Sequence, residues 1–120
     1  FQLRDDILGV FGDSAQTGKP AGDDLREGKR TVLVAEALEL GGEPVRRLME
    51  ESLGRSDLDD AGVARLREAL QSTGAVDRVE GRIAELSQAA REQLSVIPGL
   101  DPLARDVLGD LIDLVTVRDV

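Results

Sequence analysis

Cysteine, histidine, tryptophan and tyrosine are all missing from this chain of 120 residues, and each absence removes a chemistry. Without cysteine there is no disulfide framework and no thiolate metal site. Without histidine there is no imidazole to move protons, so neither a Ser-His-Asp nor a Cys-His centre can be assembled. Catalysis is left to carboxylates, Lys, Arg, hydroxyls or a metal. No run is long and apolar enough to span a bilayer and no charged-then-apolar signal segment opens the chain, so a cytoplasmic protein is expected. Phe1, not Met, stands first, inside what reads as a helix, which suggests a piece of something longer.

What is present is acid in excess. The net charge of −9 repels a phosphate backbone and argues against non-specific nucleic-acid binding. The excess is uneven. Residues 1–31 carry six acids and five bases, against eighteen acids and ten bases in residues 32–120. The length suits one domain of modest size.

Strand signals are nearly absent, and apolar residues recur at three and four, the period of an amphipathic helix. Phe1 to Phe11 reads as one helix closed by Gly12. Residues 12–28, with four Gly and one Pro, read as a loop. Thr31 to Leu40 reads as a helix ended by Gly41–Gly42. Pro44 suits the first position of the next helix, whose stripe is Val45, Leu48, Met49 and Leu53, with Gly54 as its stop. Asp57 is expected to cap a helix carrying Val63, Leu66 and Leu70, with Asp59 and Asp60 in its first turn and Gly74 at its end. A long stripe follows: Val76, Val79, Ile83, Leu86, Ala90, Leu94 and Ile97. Asp101–Pro102 opens a last helix with Leu103, Val107, Leu111, Leu114 and Val115. The expectation is about six helices in an all-α bundle, without internal repeats. Each stripe reads as packed core, although the first helix and the stripe from Val76 to Ile97 call for partners beyond the chain and are expected to leave apolar surface uncovered.

Two acid pairs, Asp5–Asp6 and Asp23–Asp24, and the only two lysines, Lys19 and Lys29, fall within the first 31 residues. At about 100° per residue, Gln2, Asp5, Asp6 and Gly9 share one arc of the first helix. Oxygen ligands of this kind favour a hard ion such as Mg²⁺, which takes one or two carboxylates, several waters and substrate phosphates. A solvated acidic face is the competing reading of the pair alone. The loop beside it, TGKPAGDDLREGKRT, adds glycines that let backbone amides approach a ligand, and lysines suited to phosphate.

The stretch FQLRDDILGVFGDSAQTGKPAGDDLREGKRT resembles the second aspartate-rich region of the trans-isoprenyl diphosphate synthases, the polyprenyl synthetases, in their bacterial geranylgeranyl type. The final stretch, DPLARDVLGDLIDLVTVRD, is similar to the family's closing helix. The resemblance implies the C-terminal portion of the isoprenoid synthase fold, residues 1–31 forming the motif and diphosphate-binding loop and residues 32–120 the closing helices. It implies a prenyltransferase that joins isopentenyl diphosphate to an allylic diphosphate, head to tail, with Mg²⁺ as cofactor and a homodimer as the complete enzyme. Residue by residue, it implies Asp5 and Asp6 as metal ligands, and Gln2, Lys19, Asp24 and Lys29 as substrate-binding residues. Asp5 and Lys19 are the implied catalytic pair. Gly9 departs from the motif, whose last aspartate falls there. The family's first aspartate-rich motif is absent from the chain, so the piece alone is expected to be inactive. A non-catalytic or truncated helical partner subunit is the alternative.

Overall fold

The computed structural model describes residues 1–117, apart from the Gln16 side chain. Every regular element among them is an α-helix: α1 (Gln2–Phe11), α2 (Ser14–Thr17), α3 (Asp23–Glu27), α4 (Val32–Ser52), α5 (Asp60–Ser72), α6 (Ala75–Ser95) and α7 (Pro102–Thr116). None is long and apolar enough to cross a membrane. The all-α reading holds. The end of the closing-helix stretch, Arg118 and Asp119, lies outside the described residues.

The glycine-rich segment is more ordered than a loop. Asp13 caps α2 by accepting from the Ala15 amide at 3.2 Å, and the two short helices end at Gly18 and Gly28, both left-handed. Glycines that read as breakers thus act as caps on one-turn helices. The helix expected from Thr31 and the one expected from Pro44 are both present, but as one element. Thr31 caps α4 by accepting from Val34 N at 3.3 Å, and Gly42 (φ 64°, ψ −156°) kinks it just before Pro44. Only glycine enters that conformation cheaply.

One expected cap is wrong. Asp57 does not start α5. Asp59 does, accepting from Gly62 N at 2.7 Å. Asp57 pairs instead with Arg55 at 3.2 and 3.1 Å in the preceding turn, and this guanidinium holds its carboxyl below the usual range.

The core joins α1, α3, α4, α5 and the first half of α6. Val10, Leu25, Leu33, Leu66, Leu70 and Val79 are its largest fully enclosed side chains. Three arginines tie the site-bearing segments to it. Arg67 Nε donates to Val10 O at the end of α1 (2.7 Å). Arg26 Nε donates to Leu58 O (2.9 Å) and its Nη1 to Ala21 O (2.7 Å), fixing α3 against the approach to α5. Arg4 forks onto Glu80 at 2.6 and 2.7 Å, joining α1 to α6. The end of α3 crosses the α4–α5 turn at very short range: a Cβ on Gly28 would lie 2.8 Å from the Gly54 Cα, and the Gly54 amide donates to Leu25 O at 2.8 Å.

The long stripe is core only in part. Val79 and Ile83 are buried, but Leu86 is 56% exposed, and no residue of α7 is buried. The expectation of packed core fails from Leu86 onward: among the described residues, only α7 packs on this half of α6, largely through polar contacts, and Leu86 stays uncovered. The expected uncovered apolar surface is therefore there on α6, whereas on α1 it shrinks to Phe1, with Ile7 and Val10 buried. Asp101 caps α7 by accepting from Leu103 N at 2.8 Å. The α6–α7 hairpin is held by polar contacts: Arg91 pairs with Asp113, and Arg105 donates to the Leu94, Ser95 and Ile97 carbonyls at 2.7, 2.7 and 3.1 Å. The result is long, 54 × 31 × 17 Å, with a radius of gyration of 17.0 Å against about 14 Å for a compact domain of this length.

Candidate active site

A cleft of about 580 Å³ opens between the start of α1 and the start of α4, lined by Gln2, Leu3, Asp6, Lys29, Arg30, Thr31 and Val32. Three residues singled out by sequence converge there: Gln2, Asp6 and Lys29. Asp6 accepts from the Val32 amide at 3.3 Å, which satisfies one of the orphan donors at the head of α4. Its carboxyl is pushed above the ordinary value. Burial is the main cause, the Val32 hydrogen bond opposes it, and the charges of Asp24 and Asp5 add to it. The Lys29 charge, like the Val32 hydrogen bond, acts the other way.

Lys29 Nζ donates to Asp24 Oδ1 at 2.7 Å and pairs with Glu27 at 3.1 Å. Those two carboxylates, Asp24 first, hold the ammonium well above its usual pKa, so Lys29 is a permanent positive charge at the cleft. Asp24 itself is buried, and its Oδ2 lies 2.0 Å from where a Cβ on Gly9 would stand.

Asp5 is half-buried on α1, one residue before Asp6. Lys19 does not line this cleft. It is exposed on the turn after α2, where its amide and carbonyl both bond the Thr17 hydroxyl at 3.3 Å. Arg30 was missed by sequence reasoning. Its signal was its place beside Lys29 in the GKRT run, hidden because arginine is common elsewhere in the chain.

Among the described residues, no group of three His, Cys, Asp or Glu side chains could hold a metal by itself. Asp5 and Asp6 still offer the hard oxygen donors that suit Mg²⁺, an ion that takes few protein ligands and fills its shell with water and phosphate oxygens. A cationic side chain, a carboxylate and an amide on one cleft suit a phosphate-bearing ligand held partly through a metal.

The helical frame that carries this cleft is that of the isoprenoid synthases. The geranylgeranyl pyrophosphate synthase of Corynebacterium glutamicum, solved in complex with isoprenyl diphosphate and magnesium, superposes with a TM-score of 0.92 at 40% identity, over 98% of this chain and 33% of that one. A geranylgeranyl pyrophosphate synthetase from Pyrococcus horikoshii gives 0.86 at 27% identity, over 98% and 35%. The model of the polyprenyl synthetase family matches residues 1–71, and the chain belongs to that family. It is 38% identical to the geranylfarnesyl diphosphate synthase of Aeropyrum pernix over 98% of its own length and 36% of that enzyme's. With the nonaprenyl diphosphate synthase of Mycobacterium tuberculosis the identity is 32%, over 98% and 34%. The chain spans about a third of the length of these relatives.

Proposed function

We propose that this chain is the C-terminal third of a trans-prenyltransferase, and that it supplies the second metal- and diphosphate-binding half of the active site. The complete enzyme condenses isopentenyl diphosphate with an allylic diphosphate, head to tail, and works as a homodimer. The observation that carries this reading is the meeting of Gln2, Asp6 and Lys29 on one cleft, in a chain of the polyprenyl synthetase family.

Asp5 and Asp6 would hold Mg²⁺. An ion held there would supply positive charge to offset negative charge on a diphosphate. Lys29, kept charged by Asp24 and Glu27, binds the diphosphate as a point charge, and Arg30 adds a planar fork at the same cleft. Lys19, on an exposed turn, reaches the substrate from the loop. Gln2 orients ligand oxygens through its amide.

In the complete enzyme, Asp5→Ala should lower kcat by about 10²–10³-fold, the scale of one lost charge-stabilising contact, with little change in the KM for isopentenyl diphosphate. An interaction that strengthens as the carbon–oxygen bond breaks is read in kcat. Lys19→Ala should also raise the KM of the allylic substrate, because a lysine grips the diphosphate before ionisation. Steady-state kinetics with both substrates varied is the check, and near-normal turnover by Asp5→Ala would sink the assignment.

A further inference from the structure

We infer that Arg4 is a positioning residue for Asp5 and Asp6: by gripping α6 and the end of α7 together, it sets the rotation of the helix that carries them. The closing helix, which lies beyond the residues 1–71 matched by the family model, thereby supports the site.

α1 starts without a side-chain cap, since Phe1 has no side-chain acceptor. Tertiary contacts must therefore locate its first turn, and those of Arg4 are directional. At about 100° per residue, Arg4 stands on the side of α1 opposite the arc of Gln2, Asp6 and Gly9. Its side chain is only 14% exposed. Nη1 and Nη2 donate to the two carboxylate oxygens of Glu80 on α6 at 2.6 and 2.7 Å. Nε donates to Thr116 O on α7 at 2.9 Å. One planar guanidinium thus reaches oxygens on two other helices. A fork of this kind fixes orientation as well as distance, which apolar packing of α1 on the core does not. Asp5 is the next residue along the chain. A rotation of α1 that broke the fork would swing Asp5 and Asp6 by the same angle.

The Thr116 bond brings α7 into this arrangement. A helix ends in orphan carbonyls and a negative dipole end, and α7 has no basic residue in its own last turn. Arg4 supplies that cation from a distance of 112 residues in sequence. Because α7 buries none of its residues, polar ties such as this one and the Arg91–Asp113 pair hold it in place.

The inference rests on the proposed function for its catalytic part. It is tested in the complete enzyme, well below the melting temperature. Arg4→Ala should lower kcat by about 10–100-fold, the scale of a small misplacement of catalytic groups, with little change in the KM for isopentenyl diphosphate. Glu80→Ala leaves α1 and the cleft untouched and should act in the same direction by less. The double variant should be no worse than Arg4→Ala, because both changes cut one tie. A second readout needs no turnover. The rise in melting temperature that Mg²⁺ with inorganic pyrophosphate gives the parent should shrink in both single variants. Lower melts with unchanged kcat and an unchanged rise would overturn the inference and leave Arg4 as a structural clamp, as would losses that add in the double variant. If Arg4→Ala fails to fold, Glu80→Ala decides by the same two readouts. If the parent makes no prenyl diphosphate, the functional reading fails, and the pyrophosphate-linked rise still decides the positioning. A parent that shows no such rise overturns the inference as well.

Discussion

Residues before and after Ile83 draw on the same apolar side chains and meet different fates. Among the described residues, every buried hydrophobic one lies at or before Ile83, whereas nine of the twelve large exposed ones follow it. Leu103 and Leu114, on the stripe of α7, are 72% and 68% exposed, while Leu66, on the stripe of α5, is fully enclosed. Periodicity is equal in the two regions. What differs is whether another element faces the stripe. An amphipathic pattern states that a helix has a face to bury, and topology decides whether this stretch of chain provides the cover. The family match, residues 1–71, falls wholly in the enclosed region.

The largest effect that could break the comparison is a truncation on each side. Leu66→Ala should cost about 2–5 kcal/mol, because it empties a site the surrounding helices cannot refill. Leu114→Ala should stay within about 0.5 kcal/mol, as surface changes do. Urea denaturation of both variants measures the contrast. A Leu114 cost near that of Leu66 would mean that α7 is covered in solution.

A smaller effect sharpens the picture inside the enclosed region. Asp59→Ala should lose about 1 kcal/mol with its cap, and Asp57→Ala should leave the melt unchanged, since its partner Arg55 is exposed and surface pairs contribute little. If the two variants exchange places, α5 begins where the sequence pattern put it.

The smallest effect concerns charge. Burial raises the Asp6 carboxyl, so folding favours its protonated form and the ionised form costs stability at neutral pH. That cost is relieved as pH falls through the raised pKa. Asp6→Asn keeps an oxygen for the Val32 amide and should melt slightly higher than the parent at pH 7. Below the carboxylate range the gain should vanish. Melts across pH check this, and a gain that persists in acid would point to packing instead of charge.

Much of this was legible in the sequence. Helix existence, the Asp101–Pro102 start of α7 and the break at Gly42 all followed from period, capping chemistry and glycine. Gln2, Asp6 and Lys29 line one cleft, and their roles there belong to the proposal. The misses share a cause: each depended on a choice among equivalent local signals. Asp57, Asp59 and Asp60 are all competent caps, and only tertiary packing selects Asp59. Gly18 and Gly28 read as breakers because a one-turn helix has too few residues to show a period. Nothing local says that the carboxylate of Asp24 reaches the space above Gly9, since they lie on different helices and meet only when α3 packs on α1. Arg30 was overlooked because a basic residue next to Lys29 looks redundant until the cleft is seen.

The crossing of Gly28 over Gly54 makes the glycine-rich segment a poor module for transplantation. The loop closes at residues 28–29, yet its closing turn rests on main chain that arrives only after α4. Gly28 is left-handed at φ 72° and Gly54 at φ 82°, and a Cβ on Gly28 would stand 2.8 Å from the Gly54 Cα. A designer who grafts residues 12–31 onto another helical scaffold must import that second glycine and the turn that bears it. Length changes in the α4–α5 connection would likewise be felt at Lys29, although the connection lies more than twenty residues further along the chain.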